Sequence, residues 1–283
     1  SVIQRIIRLA ASRRRSRSST VCSDTAGWTS KAPTTPWVTV SCARVVHALR
    51  HATAILVNSQ HTADELVLFA ERERLTPPPI RVAHLGIETV FTSGDAIRSS
   101  RPYFIHVGTI EARKNLAQLL TLWRRLEERL GDRTPSLVLV GRYGWENEAV
   151  LDHLQRSPNL RGVVHQAENL SDDALVKLMR GARAVLAPSA VEGFDLPAVE
   201  ARALGASLIA SDIPPHRELT PDAELIDPLD GLGWLQAIER AALTPPPPRP
   251  AYQPPRWADH FRIVADTLAL KRDGGLAGDR QGL

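Results

Sequence analysis

Cysteine, methionine and aromatic residues are scarce: two cysteines, one methionine and 5% aromatic residues in a chain of 283. Cys22 and Cys42 belong to no C-x-x-C pair and no Cys/His cluster with metal-ligand spacing, so neither a disulfide framework nor a structural zinc site is expected. No run comes near the roughly 18 apolar residues that a bilayer-spanning helix needs. The first residues also lack the apolar core and small-residue cleavage site of a secretory signal, and the expected compartment is the cytoplasm. Neither a G-x-G-x-x-G nor a Walker spacing occurs, so the two best-marked phosphate loops are missing. Hydrophobic residues nevertheless make up 43% of the chain, enough for a sizeable core.

Acid is absent from the start of the chain. Arg5, Arg8, Arg13, Arg14, Arg15 and Arg17 all precede the first carboxylate, Asp24, so the net charge of +4 is concentrated locally. Val2, Ile3, Ile6, Ile7, Leu9 and Ala10 recur at helical spacing beside these arginines. Two readings of residues 1–17 stay open: a surface helix running into a solvated arginine loop, or a helix lying on an anionic membrane surface. With no aromatic residue interleaved to stack bases, no nucleic-acid partner is expected.

After residue 53, short apolar runs alternate with stretches of 3.6-residue period, the pattern of a parallel sheet covered by helices. Ala54 to Ser59 reads as a strand, Thr62 to Arg74 as a helix with a Thr62/Glu65 capping box, and Ile80 to Leu85 as a second strand. Residues 12 to 45 show little periodicity. A polar linker, residues 92–102, leads to Tyr103–Gly108, the buried first strand of a second domain expected over 103–244. Further strands are expected at Leu137 to Gly141, Val163 to Gln166, Ala184 to Ala187, Leu208 to Ala210 and Glu224 to Ile226, with helices between them. Six parallel strands connected this way suit a Rossmann-like doubly wound sheet. Residues 245–255 hold too many prolines for a helix or central strand and read as a stiff linker. A helix over 256–273 and a disordered tail over 274–283 complete the chain.

In open α/β sheets, ligands bind beyond the carboxyl ends of the strands, so residues just after strands carry the chemistry. The first such loop is Gly108-Thr109-Ile110-Glu111-Ala112-Arg113-Lys114-Asn115, which sets two adjacent cations at the opening of a helix. A helix N-terminus is itself partly positive. A bound diphosphate would resolve that conflict, met by amides, a guanidinium fork and an ammonium; ordinary solvated charges are the other reading. The loop after the fourth strand contains Ser189 and then Glu192-Gly193-Phe194-Asp195-Leu196-Pro197-Ala198-Val199-Glu200, two carboxylates eight positions apart. Glu192 falls in a turn where it can face a sugar, and Glu200 lies about one helical turn further, where it can accept from ribose hydroxyls. A favourable charge near a helix start is the plainer explanation of Glu200.

These loops, with Val138 to Gly141 and the later Ser211-Asp212-Ile213-Pro214-x-x-x-Glu218, resemble the donor-binding half of family 4 retaining glycosyltransferases of GT-B fold. The resemblance covers about residues 45 to 242 and is similar in form to bacterial polysaccharide mannosyltransferases that use GDP-mannose. It implies an α/β chain of GT-B type, with a complete C-terminal Rossmann-like sheet and a shortened N-terminal α/β portion. It implies donor contacts from Gly108, Thr109, Arg113, Lys114, Gly141, Arg142, Ser189, Glu192, Gly193, Phe194, Asp195, Leu196 and Glu200. Arg113 and Lys114 would neutralise the diphosphate and Glu192 would contact the transferred sugar, so no metal or other cofactor is expected. Asp195 departs from the family, which carries glycine or a small residue there; an extra carboxylate near a diphosphate would weaken donor binding or alter sugar choice.

The implied partners are a nucleotide-sugar donor, GDP-mannose favoured and a UDP-sugar the other option, and a glycan or lipid-linked acceptor, with peripheral attachment to the inner face of the membrane through residues 1–17. The implied reaction is hexosyl transfer with retention. Residues 1–91 are expected to be a shortened, truncated-looking acceptor side, and no catalytic histidine is assigned among His47, His51, His61 and His84. A non-catalytic nucleotide-sugar-binding subunit, or a fragment completed by a partner, is the alternative.

Overall fold

The computed structural model describes residues 36–246 and 252–273. The basic segment 1–17, Pro247, Pro248 and Pro250 of the proline-rich stretch and the tail 274–283 lie outside the described residues. The described chain falls into two compact units, one within Glu88–Pro254 and one within Cys22–Ile87 together with Pro255–Leu283.

The smaller unit contains α1 (Pro36–His51), β1 (Ile55–Val57), α2 (Gln60–Arg72), β2 (Ile80–Val82) and α9 (Trp257–Asp273). β1 and β2 pair in parallel with Ile55 opposite Ile80. Leu49, Leu66 and Ala70 form its core, with Val45, Ile55, Val57 and Phe69 packed against them. The helix α1 falls largely where no periodicity was expected; Val45 and Leu49 share the core-facing side, but Val46 between them blurs the stripe. The capping expectation also needs correction. Ser59 caps α2, its Oγ accepting from Thr62 N at 3.1 Å, and Thr62 is a buried first-turn residue. From the far end of the chain, α9 packs beside the exit of β2: His260 Nδ1 lies 3.1 Å from the Ala83 carbonyl oxygen, and Ile87 N donates to Pro255 O at 3.3 Å.

The larger unit is built on a six-stranded parallel sheet: β3 (Tyr103–Val107), β4 (Ser136–Val140), β5 (Val164–Ala167), β6 (Val185–Ala187), β7 (Leu208–Ser211) and β8 (Glu224–Ile226). Their spatial order is β5-β4-β3-β6-β7-β8. The helices between and after them are α3 (Leu116–Leu130), α4 (Glu148–Arg156), α5 (Asp172–Gly181), α6 (Leu196–Ala203), α7 (Pro214–Leu219) and α8 (Gly231–Leu243). The central strands β3 and β4 are buried along nearly their whole length, as their largely apolar runs demand of a sheet covered on both faces.

On one face, α3 meets α4 and α8. Trp123 of α3 is its largest fully buried side chain, edge-on to Phe104 with ring centroids 5.7 Å apart and its Nε1 donating to Pro135 O at 2.9 Å. The helices α5 and α6 instead meet the 3-10 turn Thr89–Thr92. Ser171 caps α5 as expected, its Oγ accepting from Ala174 N at 3.3 Å.

The strand order decides where a ligand can sit. From β3 the chain moves outward to β4 and β5, whereas from β6 it moves the opposite way to β7 and β8. β3 and β6 are neighbours, paired at Ile105 and Val185. The loops leaving their carboxyl ends therefore diverge, and a crevice opens between them. These are the loops that carry residues 108–115 and 188–200.

Candidate functional site

Three loops converge at that crevice. Leaving β3, the chain turns through Ala112–Lys114, a single 3-10 turn, and Asn115 in the left-handed region (φ 54°, ψ 31°) then opens α3. Asparagine tolerates this conformation, and its Nδ2 donates to Gln118 Oε1 at 2.6 Å and to Pro228 O, beyond β8, at 3.3 Å. On the other side, the Arg113 carbonyl accepts from Ala190 N, beyond β6, at 2.9 Å. The cation-bearing turn is thus tied to both loops, by a backbone bond on one side and by the Asn115 side chain on the other.

Gly108 and Gly141 bring the ends of β3 and β4 into direct backbone contact. Gly108 N donates to Val140 O at 2.9 Å, and Gly141 has φ 155°. A Cβ on Gly141 would collide with the Gly108 carbonyl, which is rigid backbone with no room to move. Gly141→Ala is expected to destabilise the domain by about 2–4 kcal/mol, read as a lower urea midpoint with an unchanged slope.

The charged side chains form one network. Lys114 Nζ lies 2.5 Å from Glu192 Oε1 and 3.4 Å from Asp195 Oδ1. Arg113 reaches Glu192 Oε2 at 2.8 Å and Glu111 Oε1 at 2.6 Å. Glu192 therefore binds one cation with each oxygen, so both cations of the turn carry internal counter-ions. Burial works against the charge of Lys114, but Asp195 and then Glu192 outweigh it and raise the pKa. Burial likewise opposes ionisation of Asp195, yet Lys114 and then His216 outweigh it and hold its carboxyl well below the usual carboxylate range.

Asp195 is no loose extra carboxylate. It occupies the left-handed region (φ 61°, ψ 66°), the conformation that suits a glycine and that aspartate tolerates. Its Oδ2 lies 2.9 Å from His216 Nε2, and His216 Nδ1 lies 2.7 Å from the Ser211 carbonyl oxygen. A carbonyl only accepts, so Nδ1 carries a proton; an ionised carboxylate only accepts, so Nε2 carries one too. His216 is accordingly an imidazolium. Burial opposes that charge, while the hydrogen bond and charge of Asp195 outweigh it and raise the pKa.

His106, at the end of β3, takes the opposite state. Its Nδ1 faces Leu186 O at 2.9 Å, and its Nε2 is buried without a hydrogen-bond partner. Burial, followed by the charge of Lys114, pushes its pKa down to about 4, so the ring is neutral with a lone pair at Nε2. Neither histidine was singled out in the sequence. His216 had a legible signal, since it falls inside the Ser211 to Glu218 motif; His106 had none beyond being a polar residue in an apolar strand.

Glu200 stands apart from the network. It is buried in α6, and burial first, then the charges of Asp172, Asp195 and Glu88, push its pKa up to about 8. All those charges are acidic. The folded value lies above the ordinary 4.5, so stability is full below about pH 4.5 and declines as pH rises toward 8. Glu200→Gln removes the penalty: a gain of about 1–3 kcal/mol is expected at pH 8.5 and little change at pH 4.5, measured by urea unfolding at both.

The remaining candidates distribute unevenly. Gly193 and Phe194 are buried in the turn before α6, and Leu196 begins that helix with Pro197 in its first turn. Ser189 is fully enclosed and its Oγ lacks a hydrogen-bond partner. Thr109 is exposed on the loop after β3, beside Gly144. Arg142 is exposed and donates to Asn169 Oδ1 at 2.5 Å rather than to a residue of the Glu192 network.

A parallel sheet in this order, with its cations and carboxylates gathered where β3 and β6 part, is the arrangement found in enzymes that bind nucleotides across a switch point. The family model for glycosyl transferases group 1 matches residues 92–241, more than half of the chain. The chain belongs to the group 1 glycosyltransferase family.

Among its relatives is the serotype-specific mannosyltransferase WbdA of Escherichia coli, 29% identical over 188 residues, which cover 61% of this chain and 23% of that protein. The O-antigen chain mannosyltransferase B of Escherichia coli is 33% identical over 129 residues, 45% of this chain and 33% of that one. The matched regions thus span about a quarter to a third of these relatives' own lengths. Among solved structures, sucrose-phosphate synthase from Thermosynechococcus elongatus aligns with a TM-score of 0.58 at 20% identity, covering 82% of this chain and 60% of that one. Its likeness establishes the α/β fold of GT-B type that the sequence led us to expect. Among the described residues, no helix of this group 1 glycosyltransferase chain is long and apolar enough to cross a membrane.

Proposed function

We propose that this chain carries the donor site of a hexosyltransferase that takes a sugar, mannose from GDP-mannose being favoured over a UDP-sugar, and transfers it to a glycan or lipid-linked acceptor with retention of configuration. The observation that carries the reading is the convergence of Arg113, Lys114 and Glu192 on the crevice between β3 and β6, where a backbone hydrogen bond from Ala190 and the Asn115 side-chain amide on Pro228 tie the turn to its neighbouring loops. The mannosyltransferase names of the relatives support the choice of sugar.

The chemistry follows from the site's charge. As the glycosidic bond breaks, negative charge grows on the departing diphosphate, and Arg113 and Lys114 are the groups placed to take it up without a metal ion. When they do, Glu192 is released from Lys114 and gains capacity to accept from a sugar hydroxyl. Glu200, one turn inside α6, takes the ribose diol. A lipid-linked acceptor and the basic segment 1–17 are consistent with work at an anionic membrane surface.

Thermal unfolding with GDP, UDP and ADP tests the donor site. At a hundredfold excess over Kd the binding nucleotide is expected to stabilise the chain by about 2.7 kcal/mol. No stabilisation by any of the three would defeat the reading. Product analysis of the matching nucleotide sugar then separates a transferase, which transfers or hydrolyses it, from a subunit that only binds.

A further inference from the structure

We propose that the Asp195–His216 pair is a built-in counter-charge behind Lys114, which lets the lysine leave its carboxylate partners for a donor diphosphate without stranding a buried anion. The inference rests on the donor-site reading above and adds two positioning residues to it. Neither is proposed to touch the reacting atoms.

The argument starts from charge. Among the described residues, the network joins, besides the histidine, two basic side chains, Arg113 and Lys114, and three acidic ones, Glu111, Glu192 and Asp195. With a doubly protonated His216 at Asp195, the network is neutral. Without that ring it would carry one negative charge, a poor host for a diphosphate.

The movement of Lys114 makes the same point locally. Binding a phosphate oxygen draws its ammonium from Glu192 Oε1, 2.5 Å away, and from Asp195 Oδ1, 3.4 Å away. Glu192 keeps Arg113 at 2.8 Å. Among the described residues, Asp195, only 7% exposed, keeps nothing of opposite charge except His216 at 2.9 Å. A buried carboxylate left alone is strongly unfavourable, so it would hold the lysine in place. Paired with an imidazolium, it has no need to.

The geometry is specific to this purpose. Asp195 presents its two oxygens in different directions, Oδ1 toward Lys114 and Oδ2 toward His216. The histidine is fixed from behind by the Ser211 carbonyl at 2.7 Å, which sets the ring's orientation and retains its second proton. The ring arrives from α7, 21 residues along the chain and across the end of β7. Aspartate at a left-handed position and histidine at the start of α7 thus form one unit, and the acid is tolerable beside a diphosphate because the base accompanies it.

The test is a double-substitution cycle read by calorimetric titration with GDP, UDP and ADP, using whichever binds the unmodified chain. His216→Gln keeps a donor toward Asp195 but removes the charge, and is expected to weaken nucleotide binding at least tenfold. Adding Asp195→Gly, which suits the left-handed backbone and removes the anion, is expected to restore affinity to within threefold of the unmodified chain. Loss on His216→Gln without rescue would mean that the histidine merely supports the fold, and unchanged affinity in the single variant would equally overturn the proposal. Should His216→Gln fail to fold, Asp195→Gly and Asp195→Gly/His216→Gln are compared: equal affinities support the coupling, and a tenfold difference refutes it. If the unmodified chain binds none of the three nucleotides, the donor-site reading itself fails; if it binds and only the cycle fails, the donor site stands and this inference falls.

Discussion

Glu192→Gln is expected to lower sugar transfer by about 10²–10³-fold while leaving nucleotide affinity equal or higher. In the structure the carboxylate neutralises both cations proposed to receive the diphosphate, with Lys114 at one oxygen and Arg113 at the other. The neutral amide frees them for phosphate. It cannot supply the negative charge that the transferred sugar calls for as positive charge grows on its anomeric carbon. Binding and turnover should therefore move in different directions in one variant. Nucleotide affinity by titration and kcat at saturating donor decide the matter, and a parallel loss of both would show that Glu192 is needed mainly to hold the cations in place.

Lys114→Met is expected to damage both stability and binding. Methionine keeps the aliphatic stem but removes the charge that faces Glu192 and Asp195, two buried acids. Breaking a buried ion pair from one side costs about 3–5 kcal/mol, because the partner remains desolvated. Loss of the ammonium should also weaken nucleotide binding by about a hundredfold. The pH dependence has a definite sign. Lys114 is the largest influence holding the Asp195 pKa down, so Asp195 contributes stability above the ordinary carboxylate value, and that contribution is lost as pH falls. The difference in stability between the unmodified chain and Lys114→Met should hold down to the ordinary carboxylate value of 3.8 and narrow as pH falls below it, followed by urea unfolding from pH 7 to pH 2. A constant gap would assign the loss to packing alone.

Much of the larger unit was legible because its strands are buried on both faces and its helices on one. Tyr103–Gly108 and Leu137–Gly141 read as short, largely apolar runs, and Leu116, Leu119, Leu120, Trp123 and Leu126 mark the buried side of α3. Boundaries shifted by a residue or two where loop chemistry intervened, as at Asn115, which ends a 3-10 turn and opens α3 in one left-handed residue. The smaller unit was less legible. The stripe of α1 is blurred, and α9 joins that unit through contacts with residues more than 170 positions earlier, a pairing no local pattern encodes.

For the site, the chain itself determined which residues could do the chemistry. Two cations after one strand, and two glutamates eight positions apart after another, are local facts, and the rule that ligands bind beyond strand ends made them candidates before any contact was known. Asp195 could be seen only as an anomaly. Tertiary structure decided its meaning, because the sheet order places β3 beside β6 and β7 next to β6, and so brings Lys114, Asp195 and His216 into one buried network from loops up to about a hundred residues apart in the chain. Whether a buried carboxylate opposes a diphosphate or yields its lysine to it depends on the charge standing within 3 Å of it, and charge at that range is set by how strands are ordered rather than by the neighbours in sequence.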